Sequence, residues 1–468
     1  MKKLKRPSFR RKRGQEKGAE EHPKEKHGIR HYVRKRWYVF LLIAIFVVSL
    51  WFRTFPGRWN ELIGLDEFHI YRIAEYAVNN NLRIYDESNP DMMRYYPLGV
   101  PTWNVEYLLP IYIPVIAYLL ASAIGIHLPF FEFAIIFPAY MGALGAIMAF
   151  FIAKELFKSN VSGLFAAFFV SMTPALFTRT SAASFEKEAT AVMFMMAAVW
   201  LFLKAHNKKS WIYGSLAGIS LGLMGIAWGG VQYIYLLFAT FFVALFAANI
   251  ILVILDYLFS GFGKKLENLE KFMGPDMLKV YVPFILIGTL LPHLTPLHIE
   301  FTSISMISLY GVMAILLIRY GLIRFKAVKK EKSHYIIPAL MLAAVLGFFA
   351  VSMFTDFFDS VIGGFLSLLT LSKSVVGSTV AENAPGDWGT ITSTLGAGFS
   401  SGVLPQLDFI SPYLALWVFM FLGAFLIVYE LYKTQNWLLL FPLVWNQYPK
   451  SHQESITDPS GVCSERKF

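Results

Sequence analysis

Apolar runs of about 20 residues, the length a helix needs to cross a bilayer, recur from residue 37 to residue 445, separated by short polar connections. This pattern constrains the chain more than any other feature. Lipid offers the backbone no hydrogen-bond partner, so such runs must satisfy their own N–H and C=O groups, and helices do this within one segment. Charged residues make up 16% of the chain, against about 25% in soluble domains. The expected fold class is therefore an all-α polytopic membrane protein.

Charge sets the sides. The formal net charge is +11, but residues 1–36 hold 15 Lys/Arg and four Asp/Glu, and the remainder holds 27 of each sign. The basic balance thus describes one N-terminal arm suited to anionic lipid headgroups and gives no reason to invoke nucleic acid. The arm is too long and too evenly basic for a signal peptide. Positive charge stays inside, so the first span (37–55) starts in the cytoplasm. Residues 56–108 then form an outer loop with eight acidic residues against four arginines. The apolar stretch 108–126 contains Pro110 and Pro114 and is expected to lie on the outer surface or re-enter. If it does not cross, Lys154 and Lys158, Lys204 to Lys209, the stretch 263–279, the basic segment 319–334 and Lys433 all fall inside. Outer loops are then 56–108, 178–188 and 355–409. The run 437–445 starts a further span and stops short. Residues 446–468 abandon the pattern and read as an unselected tail, from a frameshift or a truncation, or else as a genuine polar tail after a short re-entrant helix. Cys463 is the single cysteine, which excludes an internal disulfide framework and a cysteine metal site.

Four carboxylates fall near span ends on the outer side. Asp66 lies in GLDEFHIYR, Glu186 and Glu188 in RTSAASFEKEA, and Glu382 in TVAE (379–382). Oxygen ligands from separate loops suit a hard divalent cation, Mg²⁺ or Mn²⁺. Such a cation stabilises a phosphate leaving group. Arg72 and Arg179 are candidates for donor-phosphate contacts. Each motif has a plainer reading beside it: a solvated loop pair at Asp66–Glu67, dipole complementation at the start of a helix for Glu186 and Glu188, close packing for Trp228-Gly229-Gly230, and packing or interfacial roles for His69, His293 and His298.

Taken in order and on one side of the membrane, these motifs give a chain that resembles the catalytic subunit of N-oligosaccharyltransferases, closest to the archaeal AglB type. LDEFHIYR is similar to that family's first-loop Asp motif, RTSAASFEKEA to its second-loop acidic pair, Thr379, Val380, Ala381 and Glu382 to its fifth-loop motif, and AWGG (227–230) to a further family segment. The resemblance spans about residues 36–445 and implies a multi-span helical bundle of the lipid-phosphate-sugar glycosyltransferase (GT-C-like) type. It implies transfer of an oligosaccharide from a lipid-linked polyprenyl or dolichyl phosphate donor to the Asn of an Asn-X-Ser/Thr polypeptide, at the outer face of the cell membrane. Asp66 and Glu382 would act on the acceptor amide, Asp66, Glu186, Glu188 and Glu382 would hold the cation, Thr379–Ala381 would line the acceptor, and loop 386–402 would order over bound peptide. The acidic pair is Glu-x-Glu where the family usually begins with Asp, and the family's WWDYG motif does not occur. The expectation is the membrane half of such an enzyme. Another polyprenyl-phosphate-sugar glycosyltransferase, a secondary transporter and an inactive relative remain alternatives at this stage.

Overall fold

A computed structural model describes residues 29–55, 61–259, 261–352 and 412–442. Among these residues the secondary structure is helical, apart from one isolated bridge between Asp91 and Val100. In chain order the helices are α1 (Ile29–Thr54), α2 (Leu65–Asn79), α3 (Thr102–Val105), α4 (Leu109–Ala123), α5 (Phe130–Phe157), α6 (Asn160–Met172), α7 (Pro174–Thr180) and α8 (Lys187–Lys208). Then come α9 (Trp211–Ala227), α10 (Val231–Phe259), α11 (Gly263–Phe272), α12 (Pro275–Leu290), α13 (Ile304–Arg324), α14 (Ile336–Ser352) and α15 (Pro412–Thr434). Among the described residues, six segments are long and apolar enough to cross a membrane: Arg36–Thr54, Phe130–Phe157, Lys187–Lys208, Val231–Phe259, Gly263–Leu294 and Ile304–Arg324.

The bundle has two chemically different ends. At one end lie the segment before and through α2, the turn after α7 and the Trp228-Gly229-Gly230 turn. Ile63 N–H donates to Ala183 O (3.3 Å), and Ala182 N–H donates to Arg53 O (2.7 Å). At the other end Lys209 meets Asp276 (2.9 Å), Asn436 donates to Leu156 O (3.2 Å) and Asn207 donates to Glu155 Oε2 (2.9 Å). The basic connections thus gather at one end, the acidic pair and Asp66 at the other. The Pro-interrupted stretch forms α4, whose 15 residues rise only about 22 Å, against about 30 Å of hydrocarbon. It packs on α2.

In lipid, helix association rests on close packing and buried polar contacts more than on the hydrophobic effect. The α9–α12 pair shows this. A Cβ at Gly214 would lie 2.7 Å from Val280 O, and one at Gly218 would lie 2.8 Å from Phe284 O. The small faces let the two backbones meet. Around them Phe202, Phe238, Phe284 and Tyr281 are fully buried, with Phe202 and Phe238 rings 4.8 Å apart in an edge-on arrangement. By contrast α1 keeps Phe40, Ile43, Val47 and Trp51 exposed, as a lipid-facing helix does.

Candidate active site

Helix α2 begins at Leu65, after Gly64 in an extended conformation, with Asp66 and Glu67 in its first turn. Both complement the helix dipole, but 100° of rotation sends them different ways. Glu67, Ile70, Ile73, Ala74 and Ala77 share the buried face. Asp66 is exposed and borders a cleft.

The second acidic motif approaches Glu67 from above. Ala182, Ala183 and Phe185 are buried, Ala183 takes a positive φ of 73°, and its N–H donates to Ile135 O (2.8 Å). The small-residue run thus carries the chain tightly across α5 to Glu186, the N-cap of α8, and Glu188, in its first turn. Arg179 Nη1 donates to Glu186 Oε2 (2.9 Å), bridging the end of α7 to the start of α8. The Glu67 carboxyl is 5% exposed and meets that of Glu186. Burial first, and the Glu186 charge second, push Glu67 up to about 7. Glu188 also lies against Glu186, and its Oε2 is buried without a hydrogen-bond partner.

Beside this cluster a cleft of about 300 Å³ is lined by Asp66, His69, Arg94, Glu106, Tyr107 and Lys187, with Ile70, Pro110 and Ile111 as apolar wall. Glu106 organises one side, taking His69 Nε2 at 2.9 Å and Arg94 Nη1 at 2.8 Å. Burial alone would raise the Glu106 carboxyl, but His69 and Arg94 hold it below the usual range. The Tyr107 hydroxyl packs on the Trp228-Gly229-Gly230 turn, where a Cβ at position 229 would fall 2.5 Å from its oxygen. Close packing is therefore what Gly229 does here, and it helps shape the cleft.

The structure brings Glu186 and Glu188 together, with Asp66 on the adjoining cleft. Among the described residues no three His, Cys, Asp or Glu side chains close into a metal-holding group. The donor chemistry nevertheless fits a hard cation: the groups are all carboxylates, like charges crowd one another, and one buried oxygen is orphaned. Thr379, Val380, Ala381, Glu382 and loop 386–402 lie outside the described residues, as does the tail 446–468. Arg72 makes a two-pronged pair with Asp91, whose side chain is 1% exposed. Burial opposes ionisation of Asp91, yet the Arg72 hydrogen bonds and a backbone N–H from Met93 keep its carboxyl below the usual range. Arg72 is thereby committed to bracing the first loop, and Arg179 holds Glu186.

Sequence reasoning missed Glu67 and the Glu106–His69–Arg94 group. The first had a signal, the helical spacing from Glu67 through Ile70 and Ala74 to Ala77. The second pairs residues 12 and 37 positions apart across an irregular loop.

Comparison with known proteins decides the family: residues 37–377 match the family model for the N-terminal region of the oligosaccharyl transferase STT3. The chain belongs to the STT3 oligosaccharyl transferase family. The matched region stops just before TVAE. Among curated STT3 relatives, the Schizosaccharomyces pombe dolichyl-diphosphooligosaccharide–protein glycosyltransferase subunit stt3 is 28% identical over 202 residues, covering 42% of this chain and 26% of the relative. The Archaeoglobus fulgidus dolichyl-phosphooligosaccharide-protein glycotransferase 2 is 24% identical over 203 residues, covering 42% of this chain and 31% of that protein. Among solved structures, the apo Archaeoglobus fulgidus oligosaccharyltransferase superposes with a TM-score of 0.61 at 19% identity, over 88% of this chain and 47% of that one. The chain thus spans less than half the length of these STT3 relatives. The fold is the all-α multi-span membrane bundle of the GT-C-like type.

Proposed function

We propose that this chain carries the membrane-embedded catalytic half of an oligosaccharyltransferase, moving an oligosaccharide from a polyprenyl or dolichyl phosphate donor to the Asn of Asn-X-Ser/Thr in N-glycosylation. The observation that carries the reading is the assembly of Asp66, Glu67, Glu186 and Glu188 at one end of the bundle, beside a cleft open to substrate. Relatives named as dolichyl-linked oligosaccharide transferases support it. So does an Archaeoglobus fulgidus structure described as a complex with an inhibitory peptide and a dolichol-phosphate.

An amide nitrogen is a weak nucleophile because its lone pair is delocalised into the carbonyl. Asp66, exposed at the cleft, accepts a hydrogen bond from the acceptor amide, and Glu382 accepts the other; together they turn the amide out of conjugation. Glu186, Glu188 and Asp66, with Glu382, would hold Mg²⁺ or Mn²⁺, and a cation bound there would supply positive charge at the departing phosphate. Glu106 fixes Arg94 and His69 on the cleft wall, and Lys187 faces the same space as an unpaired cation among the described residues. Attack opposite the leaving phosphate inverts the anomeric carbon. The acidic end faces outward and the basic arm lies in the cytoplasm.

The test is transfer from a lipid-linked oligosaccharide to a fluorescent Asn-X-Thr peptide, in nanodiscs, by the wild type and Glu382→Gln. Loss of transfer in the variant, with an unchanged melting profile, is the expected result. Undiminished transfer in the variant contradicts the assigned site.

A further inference from the structure

We propose that Arg53, at the inner edge of the acidic end, is a positioning residue that sets the second loop so that Glu186 and Glu188 present to the divalent cation. This inference rests on the metal-dependent reading given above. Arg53 ends the first span, where an arginine would ordinarily reach for water or headgroups. Instead its side chain is fully buried (0% exposed). It has no carboxylate partner within ion-pair range among the described residues, and its Nη2 has no hydrogen-bond partner. A buried, unpaired guanidinium is costly, so what it touches must repay that cost.

Its contacts converge on one break in the chain. Helix α6 ends at Met172 and Pro174 opens α7, which leaves terminal carbonyls of α6 without helical donors. Arg53 Nη1 donates to one of them, Ser171 O (3.0 Å), and to Ser49 Oγ (2.6 Å). Arg53 Nε donates to Thr180 Oγ1 (3.0 Å), at the last residue of α7. The Phe177 ring, one turn back on α7, stands 5.5 Å from the guanidinium. The backbone joins in, since Arg53 O accepts from Ala182 N–H (2.7 Å). One residue therefore fixes the end of α6, the end of α7 and the loop beyond it. The next link is Arg179, beside Thr180, which holds Glu186. Space for this clamp comes from Gly142 on α5, where a Cβ would fall 2.5 Å from Arg53 Nε and also strike Thr180 Oγ1.

The experiment is Mn²⁺ binding by the purified 468-residue chain in nanodiscs, read by electron paramagnetic resonance, with thermal melting alongside. Arg53→Met is expected to weaken Mn²⁺ binding by about 10- to 100-fold, as loss of a residue orienting metal ligands does. Arg53→Lys, which keeps one donor, is expected to fall between the two. Thr180→Val removes the Nε contact, together with the hydrogen bond Thr180 Oγ1 donates to Leu176 O within α7, and covers the case in which Arg53→Met does not fold; it should weaken binding in the same direction. Arg319→Met removes another buried arginine at the opposite end and should lower the melting temperature without altering Mn²⁺ binding. Wild-type affinity in Thr180→Val and Arg53→Met, or an equal loss in Arg319→Met, overturns the proposal. If Glu186→Gln binds Mn²⁺ as the wild type does, the acidic-site reading itself fails and takes this inference with it.

Discussion

The two ends of this bundle solve the same problem of charge next to a low-dielectric interior in opposite ways. At the lysine-rich end, the buried Arg319 donates to Met273 O (2.8 Å) and pairs with Glu270 (3.4 Å), and Glu270 also accepts from Ser333 (2.8 Å). Lys209 and Lys279 both reach Asp276. At the acidic end, Glu67, Glu186 and Glu188 crowd one another, Glu188 leaves an oxygen orphaned, and Arg53 is buried without a counter-ion among the described residues. One end is built from complementary pairs. The other has pairs of its own, Arg179–Glu186, Arg94–Glu106 and Arg72–Asp91, but also crowds Glu67 and Glu188 against Glu186, which costs stability and is the feature on which the proposed function rests.

The sharpest way to break this contrast is to remove charge from the acidic end. Asp66→Asn should cost about 100-fold or more in transfer rate, since aimed charge at the reacting groups is usually the largest catalytic contribution. Its melting temperature should stay near the wild type, because Asp66 is exposed.

The opposite outcome is expected at the paired end. Arg319→Met takes the cationic partner from Glu270 and leaves it only Ser333, and should destabilise the fold by about 2 kcal/mol, read as a lower melting temperature with unchanged peptide affinity.

Glu67 gives a pH signature. Its folded value is raised from the ordinary 4.5 to about 7, chiefly by burial. The folded state therefore holds the proton more tightly. That stabilisation is complete below about pH 4.5 and is lost as pH rises to about 7, by about 3 kcal/mol in all. Glu67→Gln should remove this slope, melting higher than the wild type at pH 8 and alike at pH 4.5. The smallest effect belongs to the exposed Lys209–Asp276 pair, where Lys209→Ala should change stability by less than about 1 kcal/mol.

Much of this was legible in the sequence. Apolar runs placed the helices, and the charge of the connections separated the two ends, because lipid penalises both irregular backbone and stranded charge. Pro110 and Pro114 marked α4 as short. Composition and order of motifs singled out Asp66, Glu186 and Glu188, which the structure gathers at one end of the bundle. Partnerships were harder to read. Arg72 looked available for phosphate, but Asp91, 19 residues on, engages it at both prongs. Glu67 looked like half of a solvated pair because adjacent acidic residues read alike, although helical rotation buries only one of them. Arg53 drew no notice in the sequence, since its partners, Ser171 and Thr180, lie more than 100 residues away.

The most direct measurement compares two acids, one from each end. Transfer to an Asn-X-Thr peptide should be measured for Asp66→Asn and Asp276→Asn, in nanodiscs and at matched melting temperature. A loss of about 100-fold confined to Asp66→Asn is the result this account predicts. Retained transfer in Asp66→Asn, or an equal loss in Asp276→Asn, would contradict the assignment of catalysis to the acidic end.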